Sequence, residues 1–271
     1  MDSLISWADG WFKTASIDTL NPWWSGFALN TVLLAIVAVS PKKLLTPAGV
    51  FHAWVLGVII WGSLGWQGYV IVAFYFLVGS GVTRVGLAEK EAAGIAEKRS
   101  GARGPENVWG SAFTATLCAL GMLLLPWLAP DNPAILIRSL LLLGYVASFS
   151  TKLADTCASE IGKAYGQRTF LITTLQPVPR GTEGAVSLEG TLAGIGAAAA
   201  IALVGWSVGL VDGLGVGIAV LAAFVATNLE SVIGATLQTR FTWLTNEIVN
   251  VVNTLIGAGI AMLLLWLVHE S

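Results

Sequence analysis

The chain has 271 residues, of which 55% are hydrophobic and only 11% charged, with a formal net charge of −2. Such a composition excludes an ordinary water-soluble domain, and without a basic excess no nucleic-acid partner is expected. The chain belongs in a bilayer.

A spanning helix needs roughly 20 mainly apolar residues. Eight such stretches are predicted, at 24–39, 48–66, 68–84, 110–129, 133–150, 190–211, 213–230 and 247–268. The expected fold is therefore all-α, a polytopic transmembrane helix bundle forming one membrane domain over residues 1–271. Before the first span, Trp7 and Trp11 stand one turn apart in a segment at 4–12 suited to lying along the interface. That N-terminal region has neither the basic start and small-residue cleavage site of a secretory signal nor the Arg- and Ser-rich character of a transit peptide. Trp23, Trp24, Trp66, Trp109, Trp127, Trp243 and Trp266 fall near predicted span ends, where an indole prefers the headgroup level. Trp54 does not, and is assigned to packing. Cys118 lies inside a span and Cys157 in a loop, so no mutual disulfide is expected.

Charge sets the expected orientation. With the N-terminus outside, Lys42, Lys43, Arg84, Lys90, Lys98, Arg99, Arg103, Lys152, Lys163, Arg168, Arg180 and Arg240 are on the inner side, and only Lys13 and Arg138 are on the outer. This positive-inside split places both termini outside and the two long connections, 85–109 and 151–189, in the cytoplasm. The outer links are short, such as APDN at 129–132 and the turn around Gly65 to Gly68. Long loops are usually functional or disordered, so chemistry is expected on the inner face.

The first inner connection reads TRVGLAEKEAAGIAEKRSGARGPENVWGS at 83–111. An amphipathic helix is predicted from about 87 to 99, with Glu89, Lys90, Glu91, Glu97 and Lys98 solvated on its surface. Lys98, Arg99 and Arg103, followed by Asn107, form a cationic group that can recruit a phosphate at the membrane mouth. The second connection begins STKLADTCASEIGKAYG. If the fifth span continues as a helix, Asp155, Ser159 and Lys163 share a face with four-residue spacing, as do Thr156 and Glu160. Acids at this depth normally face a partner, a cavity or a metal. A plain helix end, with Lys152 or Lys163 pairing Asp155, is the simpler alternative. Magnesium takes one or two carboxylates and completes its shell with waters and phosphate oxygens, and Asp155 and Glu160 suit that role.

Downstream, PVPRGTEGAVSLEGTLAG at 177–194 frees its backbone at Gly181, Gly184 and Gly190 and offers donors at Arg180, Thr182, Ser187 and Thr191. It can wrap a polyphosphate, or it can be a flexible turn, with Glu189 as a favourable acid at a helix N-terminus. It is not a Walker A loop, because Cys157 stands five positions before Gly162, where that pattern requires Gly. In the last two spans, Asn228 and Glu230 reach the same inner level as Asn246, Glu247, Asn250, Asn253 and Thr254, which share about a third of a helix circumference. Interhelical glue accounts for any one of these; together they describe a cavity wall. The sum is a membrane-embedded pocket with acids for a metal, bases for phosphates and apolar walls deeper down, which suits a lipid phosphate.

Taken jointly, GIAEKRSGARGPENV, STKLADTCASEIGKAYG, VPRGTEGAVSLEGTLAG, TNLESVIGA and WLTNEIVNVVN, spread from about 79 to 257, resemble the integral membrane proteins that include the plant and cyanobacterial phytyl-phosphate kinase of vitamin E biosynthesis. More distantly, the Asp-Thr helix followed by Gly-Thr-Glu-Gly is similar to CTP-dependent polyprenol kinases. The resemblance implies transfer of a phosphate from CTP, or another nucleoside triphosphate, to phytyl monophosphate, giving phytyl diphosphate for tocopherol and phylloquinone synthesis. Joined to the residue reading, Asp155 and Glu160 are expected to hold magnesium, and Lys152 and Lys163 to steady the phosphates in transfer. Arg180, Gly181, Thr182, Glu183, Gly184, Ser187 and Glu189 would serve the nucleotide. Lys98, Arg99, Arg103, Asn107, Asn228, Glu230, Asn246, Glu247 and Asn250 would serve the acceptor. A kinase acting on a free polyprenol, a cytidylyltransferase and a lipid transporter are the alternatives.

Overall fold

The structure is a computed structural model that describes residues 21–40, 43–128, 134–238 and 240–270. The segment at 4–12 and the link at 129–132 lie outside the described residues. Seven helices among those described are long and apolar enough to cross a membrane. α1 (Pro22–Val39) starts where the Asn21 side chain accepts from the Trp23 N–H at 2.9 Å, and α2 (Pro47–Thr83) where Thr46 accepts from Gly49 at 3.0 Å. In both, Pro takes the first helical position, where its missing N–H costs nothing.

α2 covers two predicted spans, 48–66 and 68–84. It is broken at Gly65, whose φ of 64° and ψ of −160° are open essentially to glycine alone. Gly49 and Gly79 would be about 45 Å apart on a straight helix. Both nevertheless touch Arg103: a Cβ on Gly49 would stand 2.4 Å from its carbonyl oxygen, and one on Gly79 2.8 Å from its guanidinium. The chain therefore doubles back at Gly65. Asn30 of α1 binds across the two halves, accepting from the Tyr69 hydroxyl at 2.9 Å while crowding Gly57. Seven helices thus make eight crossings, and the first and last described residues sit at the same end. Trp54 packs as expected, edge-on to Phe27 with its indole N–H on the Thr31 hydroxyl.

Between α2 and α4 (Pro105–Leu128) lie α3 (Leu87–Ala92) and a 3-10 turn at Lys98–Gly101. The expected helix to residue 99 stops early because Gly94, at φ 70°, turns the chain. α5 (Ala134–Tyr165) runs well past the predicted span end at 150, so the first part of the supposed loop at 151–189 is helix. Its 32 residues extend about 48 Å, against a hydrocarbon layer of about 30 Å. The remainder is a two-stranded antiparallel hairpin, β1 (Thr169–Leu171) with β2 (Ala185–Ser187), pairing Thr169 with Ser187. α6 (Leu188–Ser207), α7 (Gly213–Ile233) and α8 (Asn246–Glu270) complete the bundle, with a short π-helical stretch, Gly234–Gln238, after α7.

α5 packs against α2, α4, α6, α7 and α8, and Tyr145, Val146, Phe149 and Leu153 are wholly buried in the core. Lipid tails are as apolar as leucine, so helices associate through close backbone approach at small residues. Gly190 and Gly194 of α6 lie against the carbonyls of Ala158 and Ala154. Gly257 of α8 admits Thr151 of α5: an added Cβ would stand 2.0 Å from the threonine hydroxyl oxygen. Gly257→Ala is expected to cost about 1–3 kcal/mol by overpacking, read as a lower unfolding midpoint in detergent. Adding Thr151→Ala should recover most of the loss, and no recovery would mean the two helices are not in this register. Both cysteines are buried and unpaired.

Candidate functional site

At the end of the bundle opposite the described termini, the helices enclose a cavity of about 780 Å³. α5 supplies its centre. Continuing that helix to residue 165 places Lys152, Asp155, Thr156, Ser159, Glu160 and Lys163 along one wall. Lys152 Nζ lies 2.5 Å from Asp155 Oδ2, and donates at 2.8 Å to Asn250 Oδ1 of α8. This bridge ties α5 to α8 at the floor of the site. Glu230 of α7 and Glu183 of the hairpin loop line the same cavity as Asp155, and the Glu230 carboxyl interacts with that of Asp155. Two carboxylates facing each other in this way need a proton or a cation between them.

The structure brings most of the anticipated residues together. Asp155, Glu160, Lys152, Lys163, Gly181, Thr182, Glu183, Ser187, Arg99, Arg103, Asn107, Asn228, Glu230, Asn246, Glu247 and Asn250 all line the cavity. Arg99 holds a left-handed backbone, φ 56°, and its guanidinium binds Glu106 and, at 3.0 Å, Asn107 Oδ1. Arg103 is fixed more firmly. Its backbone pairs with Leu44 and Thr46, and its guanidinium donates to the Tyr75 hydroxyl at 2.6 Å. Tyr75 in turn donates to Ser111 at 2.8 Å.

Other assignments move. Arg180 does not line the cavity; it donates at 2.9 Å to the Ala164 carbonyl, capping the last turn of α5. Gly184, at φ 75°, sits against the Ser231 carbonyl and Ala235, where the hairpin meets the end of α7. Glu189 is in the first turn of α6 and accepts from the Gln167 N–H at 3.3 Å, the plain helix-end role. Ser187 does both jobs, lining the cavity while capping α6 through the Gly190 N–H at 3.1 Å. Lys98 lies in the 3-10 turn, and its side chain is outside what the structure describes.

The largest correction concerns Lys90, expected on a solvated surface. It is 1% exposed, and its ammonium binds Glu160 and, at 2.9 Å, the Thr83 carbonyl. Lys163 approaches Glu160 from the other side at 3.6 Å. Glu160 is thus held between two lysines, and the carboxylate that faces Asp155 is Glu230. Sequence reasoning also missed Tyr75 and Ser111, which line the cavity from helices that read as plain spans, and Thr227, next to the Asn228 that was singled out. The stripe on α8 divides as it rises: Asn246, Glu247 and Asn250 border the cavity, whereas Asn253 and Thr254 are fully buried, Thr254 bonded to Thr114 at 2.8 Å.

Acidic side chains outnumber basic ones around the cavity. Glu97, Glu106, Asp155, Glu160, Glu183, Glu230 and Glu247 stand against Arg99, Arg103, Lys152 and Lys163. Among the described residues no three His, Cys, Asp or Glu side chains form a metal cage. The facing pair Asp155 and Glu230 instead fits the one or two carboxylates with which proteins hold magnesium carried on phosphates.

Fold and cavity define a multi-pass integral membrane protein with a polar, carboxylate-lined site at one end of its helix bundle. The chain belongs to the family described as "Integral membrane protein DUF92", which matches residues 30–258. It is 65% identical over 246 residues to the membrane protein sll0875 of Synechocystis sp., covering 89% of this chain and 90% of that protein. To Protein VTE6, chloroplastic, of Arabidopsis thaliana it is 42% identical, covering 92% of this chain and 74% of the other. The membrane protein MJ0933 of Methanocaldococcus jannaschii is 30% identical, over 87% of this chain and 93% of that one. No solved structure matches the chain.

Proposed function

We propose that the protein is a phytyl-phosphate kinase, transferring the terminal phosphoryl group of a nucleoside triphosphate, CTP by the motif resemblance, to phytyl monophosphate. The observation that carries this reading is the facing of Asp155 and Glu230 beside Lys152, inside a cavity set among membrane-spanning helices. Homology to VTE6 over most of the chain supports it. A polar site at one end of the bundle, with a solid core beyond it, suits an enzyme better than a transporter, which needs access from both faces.

In this mechanism an acceptor phosphate oxygen attacks the terminal phosphorus as the bond to the bridging oxygen breaks, giving phytyl diphosphate and a nucleoside diphosphate. The acceptor is already an anion, so no strong general base is required, and catalysis is mainly positioning and charge stabilisation. Asp155 and Glu230 would hold magnesium, which when bound supplies positive charge against the phosphate oxygens. Lys152, pinned by Asp155 and Asn250, would donate to the phosphoryl group in transit. Gly181 and Thr182 of the hairpin loop, which line the cavity, would serve the nucleotide, and Arg99 and Arg103 the acceptor phosphate. The membrane would be a bacterial inner or a cyanobacterial plasma or thylakoid membrane, with the site toward the cytoplasm.

The test is turnover by purified protein in detergent with magnesium and labelled CTP, offering phytol, phytyl phosphate and phosphatidic acid separately. Phytyl diphosphate and CDP from phytyl phosphate alone are expected. Pyrophosphate release would make the protein a cytidylyltransferase, phosphorylation of phytol a polyprenol kinase, and inertness toward all three would favour the lipid transporter.

A further inference from the structure

α6 and α7 meet through small residues and then part. Ala198 of α6 and Ala223 of α7 pack together with Ala154 of α5, with Val220 laid against them. One turn nearer the site the helices no longer close. Thr191, Gly194 and Ile195 on α6, and Phe224, Thr227 and Asn228 on α7, all border the cavity. Ile195 lies seven residues inside the start of α6 and Phe224 nine before the end of α7, about 10 Å and 14 Å along their axes. The cavity therefore continues as a slot reaching hydrocarbon depth.

The slot opens sideways. On α7 the fully buried residues Ala219, Ala222, Ala223 and Ala226 define the core-facing side, and Phe224 falls well away from it, 40% exposed at the rim. Leu192 and Leu221 continue the apolar surface outward, both more than half exposed. Thr227 leaves its hydroxyl oxygen buried and without a partner in the slot wall. Ile95 and Val186 reach the cavity from the segments connecting the helices and Tyr75 turns its hydroxyl to Ser111, so Ile195 and Phe224 are the large aliphatic and phenyl side chains that the described transmembrane helices contribute to it. A molecule bridging the bilayer and the Asp155 and Glu230 carboxylates can pass here. It needs an anionic end in the cavity and an apolar chain in lipid.

We propose that the slot between α6 and α7 is the lateral entrance and binding groove for the acceptor's isoprenoid chain. Ile195 and Phe224 contact the chain, and Thr191 and Asn228 mark where it passes into the phosphate site. This rests on the phosphoryl-transfer reading above, and deepens it by naming where the lipid enters and what reads its length.

Two measurements separate the inference from that reading. Photocrosslinkable phenylalanine at position 224, and separately at 195, is irradiated with radiolabelled phytyl phosphate in detergent, with Leu117, exposed on α4, as control. Labelling at 224 and 195 that excess unlabelled phytyl phosphate displaces, with little at 117, is expected; equal or undisplaced labelling at all three would overturn the groove whether or not the protein turns over. In turnover, Ile195→Trp should raise KM at least tenfold for phytyl phosphate, and about twofold or less for a short alkyl phosphate that ends before the slot. An equal loss for both acceptors, or none for either, would count against it. An active enzyme with unlabelled slot residues defeats the groove alone, while displaceable labelling without transfer to any acceptor defeats the kinase assignment alone.

Discussion

Asp155→Asn is expected to lower magnesium-dependent transfer to phytyl phosphate by about 10³-fold, the scale on which losing one well-placed charge stabiliser acts in a buried site. The substitution is nearly isosteric and keeps a hydrogen-bonding partner for Lys152, which also retains its bond to Asn250. Fold and detergent monodispersity should therefore survive. The magnesium concentration giving half-maximal rate should rise as well, because only Glu230 would then face the metal with a charge. Turnover within tenfold of the parent protein, with an unchanged magnesium dependence, would remove Asp155 from the metal's coordination.

Lys90→Met is expected to destabilise the protein by about 3–5 kcal/mol, the usual result of leaving one buried charge without its partner. Lys90 and Glu160 are 1% and 2% exposed as side chains, so water cannot compensate for the loss. Lys163, at 3.6 Å, offers partial relief from a more exposed position. The double replacement Lys90→Met with Glu160→Leu should bring the unfolding midpoint most of the way back, since a buried ion pair is often matched by apolar side chains of similar size. If the single variant unfolds at the parental midpoint, α3 is not docked on α5 as described. The double variant also tests function: if Glu160 serves structure, restored stability should come with substantial activity, whereas a stable but dead protein would return Glu160 to the chemistry.

Membrane architecture was legible because its signals are local. Apolar runs of spanning length gave the helices, and the Gly65 to Gly68 interruption divided one long run in two, where the structure places its hairpin. The cavity was legible in large part for the same reason. An acid, an amide or a lysine near a span end is costly in lipid wherever it sits, so Asp155, Glu230, Asn250 and their neighbours stood out without any knowledge of their partners. What failed was pairing. Lys90 lies in a run that reads as a solvated helix, and only Glu160, seventy residues later, makes it internal. Arg180 looked like a phosphate ligand because an arginine beside glycines offers donors, but its guanidinium meets the carbonyl end of α5. Tyr75 and Ser111 were invisible because one hydroxyl in an apolar span carries no sign that it faces a cavity.

α5 carries the central wall of the site, and it is also the helix against which α2, α4, α6, α7 and α8 all pack. A site built on such an axle has no hinge beneath it. Two halves of the bundle cannot rock about this cavity, as in alternating-access carriers, without shearing the helix that both share. Movement during the proposed transfer is therefore left to what surrounds the cavity mouth, the 94–101 stretch between the Lys90 and Arg103 anchors and the hairpin at 166–187, while Asp155 stays put. Substrates come to a fixed anvil.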